Sequence, residues 1–254
     1  MRMSRLNSPL IRELALSGRR LDGRGPYQMR DLSVETGVLS KGFSSSRVIL
    51  GGTELIVGLN FQTSRPYPDH PGEGVMHTEV HFPGRIGERY PSERENDEAV
   101  ELSRVVDRGV RHSGIIDMSS LCIIPGEKVW ALYIDIQVID HEGNIQDASN
   151  IGTVAALKTA RIEDGGGTDG FKELSIGDIP ISTTFAVISG ALFLDPTLAE
   201  EQASDGRLTL TLDNVGSLVA AQLSGGGRLD RETLSKALEI SALSNSMTRE
   251  RLDL

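Results

Sequence analysis

Val48-Ile49-Leu50-Gly51-Gly52-Thr53-Glu54-Leu55-Ile56-Val57-Gly58-Leu59-Asn60-Phe61 is the stretch that decides the fold. Two apolar, β-branched runs, 48–50 and 53–61, flank Gly51-Gly52. A two-residue primed turn needs positive φ at its first central position, and in the I′ form at both, and glycine supplies that without strain, so the stretch predicts a β-hairpin. Downstream, Pro66, Pro68 and Pro71 make 64–74 a loop, and 77–82 reads as a further strand. Ala99, Leu102, Val105, Val106 and Val110 recur at helical spacing, so 96–112 reads as a helix. Strands are expected at 121–124 and 129–139; in the second, Trp130, Leu132, Ile134, Ile136 and Val138 alternate with mostly less apolar residues.

His141-Glu142-Gly143-Asn144 turns the chain into a second helix at 147–160, whose small residues suit close packing on a sheet. The Gly-rich run 164–170 reads as a surface loop. Strands are expected at 185–194, 207–212 and 217–223, with a turn at 213–216. Asp230 is placed to cap a long C-terminal helix. Upstream of the hairpin, 11–17 is a short helical candidate, followed by turn-rich 18–25. The order of strands and helices argues an α+β domain with helices on sheet faces. No linker divides the 254 residues, so one domain is expected, with halves at about 1–145 and 146–254.

Composition narrows the function classes. No apolar run approaches the length of a membrane span, and the N-terminus lacks the apolar core of a signal peptide. One cysteine, Cys122, precludes an intrachain disulfide and fits a reducing, cytoplasmic setting; its apolar strand predicts an inert core thiol. A net charge of −10 is unlike a free-standing nucleic-acid binder, so any such contact must come from a local cation cluster or a shared surface.

Three groups of side chains could carry chemistry. Arg104, Arg108 and Arg111 fall at i, i+4 and i+7, a narrow helical stripe that could grip successive phosphates. The competing reading is a solvated face in which Glu101 and Asp107 pair with these cations. His77, Glu79 and His81 share one strand face and could ligate zinc, although a polar strand face is the default and no metal is expected. Asp195, Glu200, Glu201 and Asp205 could hold a cation or do acid–base work, or could form a solvated turn and helix start. The Gly-rich runs at 165–167 and 225–227 lack the Gly-Lys-Ser/Thr ending of a nucleotide loop.

Four segments in order resemble the RNase PH family and, within it, the non-catalytic RNase-PH-like subunits of archaeal exosome cores. They are Arg20-Leu21-Asp22-Gly23-Arg24, Pro66-Tyr67-Pro68-Asp69-His70-Pro71, Glu101-Leu102-Ser103-Arg104-Val105-Val106-Asp107-Arg108-Gly109-Val110-Arg111 and Gly126-Glu127-Lys128-Val129-Trp130. Leu194-Asp195-Pro196-Thr197 with Glu200-Glu201 is similar too. The resemblance implies a fold of duplicated β-α units, two sheets with helices packed between and around them. It implies phosphorolytic 3′–5′ RNA degradation for catalytic members, which hold phosphate on a Gly-Gly-Thr-Arg loop and complete the site with an Arg-Arg pair and two aspartates.

At the corresponding places this chain has Gly143-Asn144-Ile145-Gln146, Ser92-Glu93-Arg94, and either Asp205 or Arg207. Those departures imply a chain without catalytic residues or cofactor of its own. The alternative is an active phosphate-dependent exoribonuclease with a diverged site. The implied partners are a catalytic paralogue, paired in a heterodimer and assembled as three heterodimers in a six-membered ring, together with RNA-binding cap subunits and single-stranded RNA. Arg104, Arg108 and Arg111 are the implied RNA contacts.

Overall fold

The computed structural model describes the backbone at residues 2–82, 92–163 and 171–252, and side chains at 8–82, 97–162 and 173–252. The expected glycine loop at 164–170 lies outside the described residues.

The first sheet is built on the hairpin. Strands β2 (Ser44–Leu50) and β3 (Thr53–Ser64) pair in register, with Leu50 opposite Thr53 across the two-residue turn and Gly51 at φ 57°. β1 (Leu32–Thr36) extends one side. On the other lies β6 (Lys128–Asp140), and β4 (Val75–His81) adds to β6 in parallel as an edge. The sheet order is β1-β2-β3-β6-β4, with β5 (Cys122–Ile124) also on β6. A parallel neighbour requires a crossover. Helix α2 (Ser92–Ser113) supplies it and packs on β4. The expected alternation in β6 holds, with Leu132, Ile134, Ile136 and Val138 fully buried.

The second sheet has the order β10-β9-β11-β12, from β9 (Ile181–Ile188), β10 (Ala191–Leu194), β11 (Gly206–Leu212) and β12 (Leu218–Gly225). The single strand expected at 185–194 is therefore corrected to a hairpin. Ser189 and Gly190 both take positive φ, 52° and 81°, the geometry of a primed turn. Two short strands that the sequence pattern did not announce, β7 (Arg161–Glu163) and β8 (Phe171–Glu173), pair with each other.

Helix α3 (Ile145–Lys158) lies between the sheets, against β2 and β3 on one side and β9 on the other. Its small residues allow this. A Cβ on Gly152 would come within 2.7 Å of Val57 and 3.0 Å of Val48. β9 is buried along its whole length, and its hydroxyls find partners inside: Ser182 pairs with the Thr211 hydroxyl, Thr183 donates to Asn245, and Thr184 donates to Asp147. Helix α5 (Arg231–Arg251), capped by Asp230 through Thr233 N–H as expected, covers β9 and β11. Each sheet is thus followed in the chain by a helix laid on it, which is the duplicated β-α plan. Helix α1 (Arg2–Leu16), longer than the expected 11–17, packs Ile11 and Ala15 over Phe193 and onto α4 (Leu198–Ala203).

Candidate functional site

Helix α2 turns Leu102, Val106 and Val110 into the core. Its opposite side therefore presents Arg104, Arg108 and Arg111, the stripe expected from the spacing. Together with Met76, His77 and Thr78 of edge strand β4 they line an open groove of about 560 Å³. The three arginines are not equivalent. Arg111 is anchored by an ion pair with Asp107 at 2.8 Å and a bond to the Met76 carbonyl at 2.9 Å. Arg108 donates to Gln222 of β12 at 3.2 Å. The Arg104 guanidinium has no hydrogen-bond or ion-pair partner among the described residues, although the Arg104 carbonyl accepts from Arg108 Nε at 3.3 Å. All three arginines are exposed, and of the two carboxylate pairings expected on a solvated face only Asp107 with Arg111 forms, because Glu101 accepts from Gln222 at 3.1 Å.

Gly143-Asn144-Ile145-Gln146, the stretch expected to stand in for a phosphate loop, sits at the start of α3. Asn144 takes a left-handed conformation, φ 55°, and caps the helix through Asp147 N–H. A helix N-terminus attracts anions because its N–H groups are free and its dipole is positive there. Here the anion is internal. The Asn144 N–H donates to the Glu201 carboxylate at 2.9 Å, and Glu201 is 3.5 Å from Arg207. Ile145, Gln146, His141, Glu98 and Arg207 close around them and leave a cavity of about 20 Å³, room for roughly one water. Burial pushes both carboxyls up, and the neighbouring Glu201 charge raises Glu98 further, while Arg207 draws each back. Of the two residues left open for the second aspartate, Arg207 lines this cavity; Asp205 instead pairs with Arg12 at 2.8 Å and caps the Ser189 N–H. The side chains of Ser92, Glu93 and Arg94 lie outside the described ones.

The remaining acidic residues keep the expected helix start, since Thr197 and Glu200 open α4, but correct the solvated turn, since Asp195 and Glu200 are buried. Asp195 is fully buried at φ 49° and accepts from Arg30 at 2.7 Å, Arg24 at 3.1 Å and Asn144 at 2.8 Å. Burial would raise its carboxyl, but the Arg30 guanidinium holds it below the usual range. Glu200 is buried against Arg20 and closes a capping box with Thr197. Arg30, Asn144 and Asp147 belong to this network; of the three only Asn144, in the turn at 141–144, was singled out by the sequence. Asp147 accepts from Asn144 and Thr184, and burial pushes it up to about 7.

His77, Glu79 and His81 do share a face of β4, but His77 stacks on Tyr133 with ring centres 5.1 Å apart. Asp135 of β6 joins Glu79 and His81 in its place. Cys122 is half-buried in three-residue β5, more open than the core thiol expected. No helix among the described residues is long and apolar enough to cross a membrane.

Comparison with known proteins agrees with this architecture. Residues 28–163 match the 3′ exoribonuclease family, domain 1, and residues 178–242 match its domain 2. The chain is 39% identical over 246 residues to the exosome complex component Rrp42 of Methanocella arvoryzae, covering 96% of this chain and 94% of that protein. It superposes with a TM-score of 0.92 on a chain of the Archaeoglobus fulgidus exosome with RNA bound to the active site, at 31% identity and 99% coverage of both. A chain of an archaeal exosome core gives 0.88, also at 31% identity, over 98% and 97% of the two chains.

Proposed function

The chain belongs to the RNase PH family of 3′ exoribonucleases, and on that premise we propose that it is an exosome ring subunit that guides RNA without cleaving it. The observation that carries this reading is the internal anion. Where catalytic relatives would seat phosphate, the Asn144 N–H is engaged by Glu201, and the surrounding cavity admits about one water. An incoming phosphate would have to displace a buried carboxylate and face a second one at Glu98, with Arg207 as the compensating cation. Phosphorolysis depends on donors prearranged for the transferring group, and the seat here offers repulsion.

RNA contact is assigned to Arg104 and Arg108, whose guanidinium groups are free of carboxylate partners at the groove beside β4. Arg111 serves mainly to fix the groove wall, through Asp107 and the Met76 carbonyl. Phosphate contacts of this kind position a strand without reading its sequence. Catalysis falls to a paralogous RNase-PH-like subunit paired with this chain, three such pairs closing a six-membered ring under RNA-binding caps. Both halves, about 1–145 and 146–254, work as one domain in that ring, held by α3 between the sheets.

The purified chain supplied with poly(A), phosphate and magnesium is expected to release no ADP, and robust release would establish the alternative of an active, diverged enzyme. In the reconstituted ring, Arg104→Glu with Arg108→Glu is expected to weaken RNA binding and processivity while assembly is retained. Unchanged affinity would make the chain a scaffold that never meets RNA.

A further inference from the structure

The outer face of the first sheet carries a cluster that RNA guidance does not use. Glu79 on β4 stands directly opposite Asp135 on β6 in the parallel register, and His81 follows Glu79 on the same face. One ligand atom from each of the three lies within 4.8 Å of the others. His81 Nε2 is 3.5 Å from the Glu79 carboxylate. Like charges placed opposite each other on a sheet destabilise the pairing unless something of opposite sign lies between them.

We propose that Glu79, His81 and Asp135 form a binding site for a first-row divalent metal ion of the zinc type. One imidazole nitrogen and two carboxylate oxygens are a zinc donor set, whereas magnesium demands an octahedral oxygen shell and dehydrates reluctantly. Zinc–ligand bonds of roughly 2.1 Å put tetrahedral donors about 3.4 Å apart. Closing from the present spread takes about an ångström of movement by each side chain, within the freedom of exposed rotamers. All three are exposed, so no buried charge has to be created and the fourth position remains open to water or a ligand. The simple sequence pattern named His77 as a donor, but its ring is committed to Tyr133 and stays outside the set.

The ion would clip edge strand β4 to β6. β4 is also one wall of the arginine groove, so the metal would stiffen that wall from behind. The binding itself is independent of the RNA reading and stands or falls without it.

The full chain is titrated with zinc chloride by calorimetry in a buffer free of chelators, and its thermal unfolding is followed with and without the ion. The expected result is one saturable equivalent and a rise in Tm of about 2 °C or more at saturating metal. His81→Ala and Asp135→Asn should each weaken binding at least tenfold and remove the rise in Tm, while His77→Ala keeps both. Circular dichroism without metal checks that each variant folds, and these positions are exposed. Absence of saturable binding up to about millimolar zinc, or equal binding by the His81 and Asp135 variants, would overturn the proposal, because the ion would then be elsewhere or nowhere.

Discussion

At the scale of the residue, Asp195 joins the N-terminal segment to the start of α3. Removing a buried carboxylate that serves Arg30, Arg24 and Asn144 leaves the nearly buried Arg30 without its ion-pair partner, while Arg24 keeps Asp22 at 2.7 Å. Asp195→Ala is expected to cost about 3–5 kcal/mol, read from urea denaturation. Asp147 sets a different signature. Its folded-state value of about 7 lies above the ordinary aspartate value, so between those limits the folded chain holds a proton that the unfolded chain has lost. Raising the pH from 5 to 8 should therefore lower Tm, and Asp147→Asn should flatten much of that slope. Glu98 and Glu201, both raised, leave a residual slope of the same sign, whereas Asp195, held low, contributes stability that is lost only in stronger acid. An unchanged slope in the Asp147 variant would refute this assignment. The acidic run could be seen in the sequence, but its burial could not, because Arg20 and Glu200 meet across 180 positions. The arginine stripe was legible because i, i+4 and i+7 are local. Which arginine is free was not, since the Met76 carbonyl and Gln222 come from other elements.

At the scale of the element, α3 and α2 offer opposite tests of glycine. Gly152 faces Val57 and Val48 across a close helix–sheet contact, and Gly152→Val should destabilise by about 1–3 kcal/mol through overpacking. Gly109 in α2 has open space where a Cβ would go, so Gly109→Ala should stabilise by about 0.5–1 kcal/mol through helix propensity. Chemical denaturation of both variants, with changes of opposite sign, is the check. The hairpin at 48–61 and the alternation of β6 were plain in the sequence because each is a local pattern. The beginning of β2 was hidden, since Ser44–Arg47 look polar; Ser46 is nevertheless buried, its hydroxyl bonded to the Gly152 carbonyl at 2.6 Å. β9 and β10 merged into one expected strand because the apolar run continues past Ser189-Gly190, a turn signal that the surrounding hydrophobicity concealed. The short β7–β8 pair has no period long enough to notice.

At the scale of the whole molecule, charge and topology decide behaviour. A chain of net charge −10 repels a polyanion except where its cations gather. In the assembled ring, Arg104→Gln with Arg108→Gln should reduce the slope of log affinity against log salt by about 1.4, since each single-strand phosphate contact contributes about 0.7. A slope unaltered by both substitutions would remove these residues from the RNA path. The family resemblance made the two-sheet plan legible in advance, but the seating of α3 against both sheets became visible only with the fold. The arginines near the N-terminus also impose an order on synthesis. Arg30 reaches Asp195 across 165 positions. At ribosomal speeds of about 5–20 residues per second, its guanidinium emerges roughly 10–30 s before its carboxylate is made. Until then Arg30 lacks the carboxylate that it meets in the fold, so translation arrested short of residue 195 should yield a chain that proteases digest and full-length protein resists.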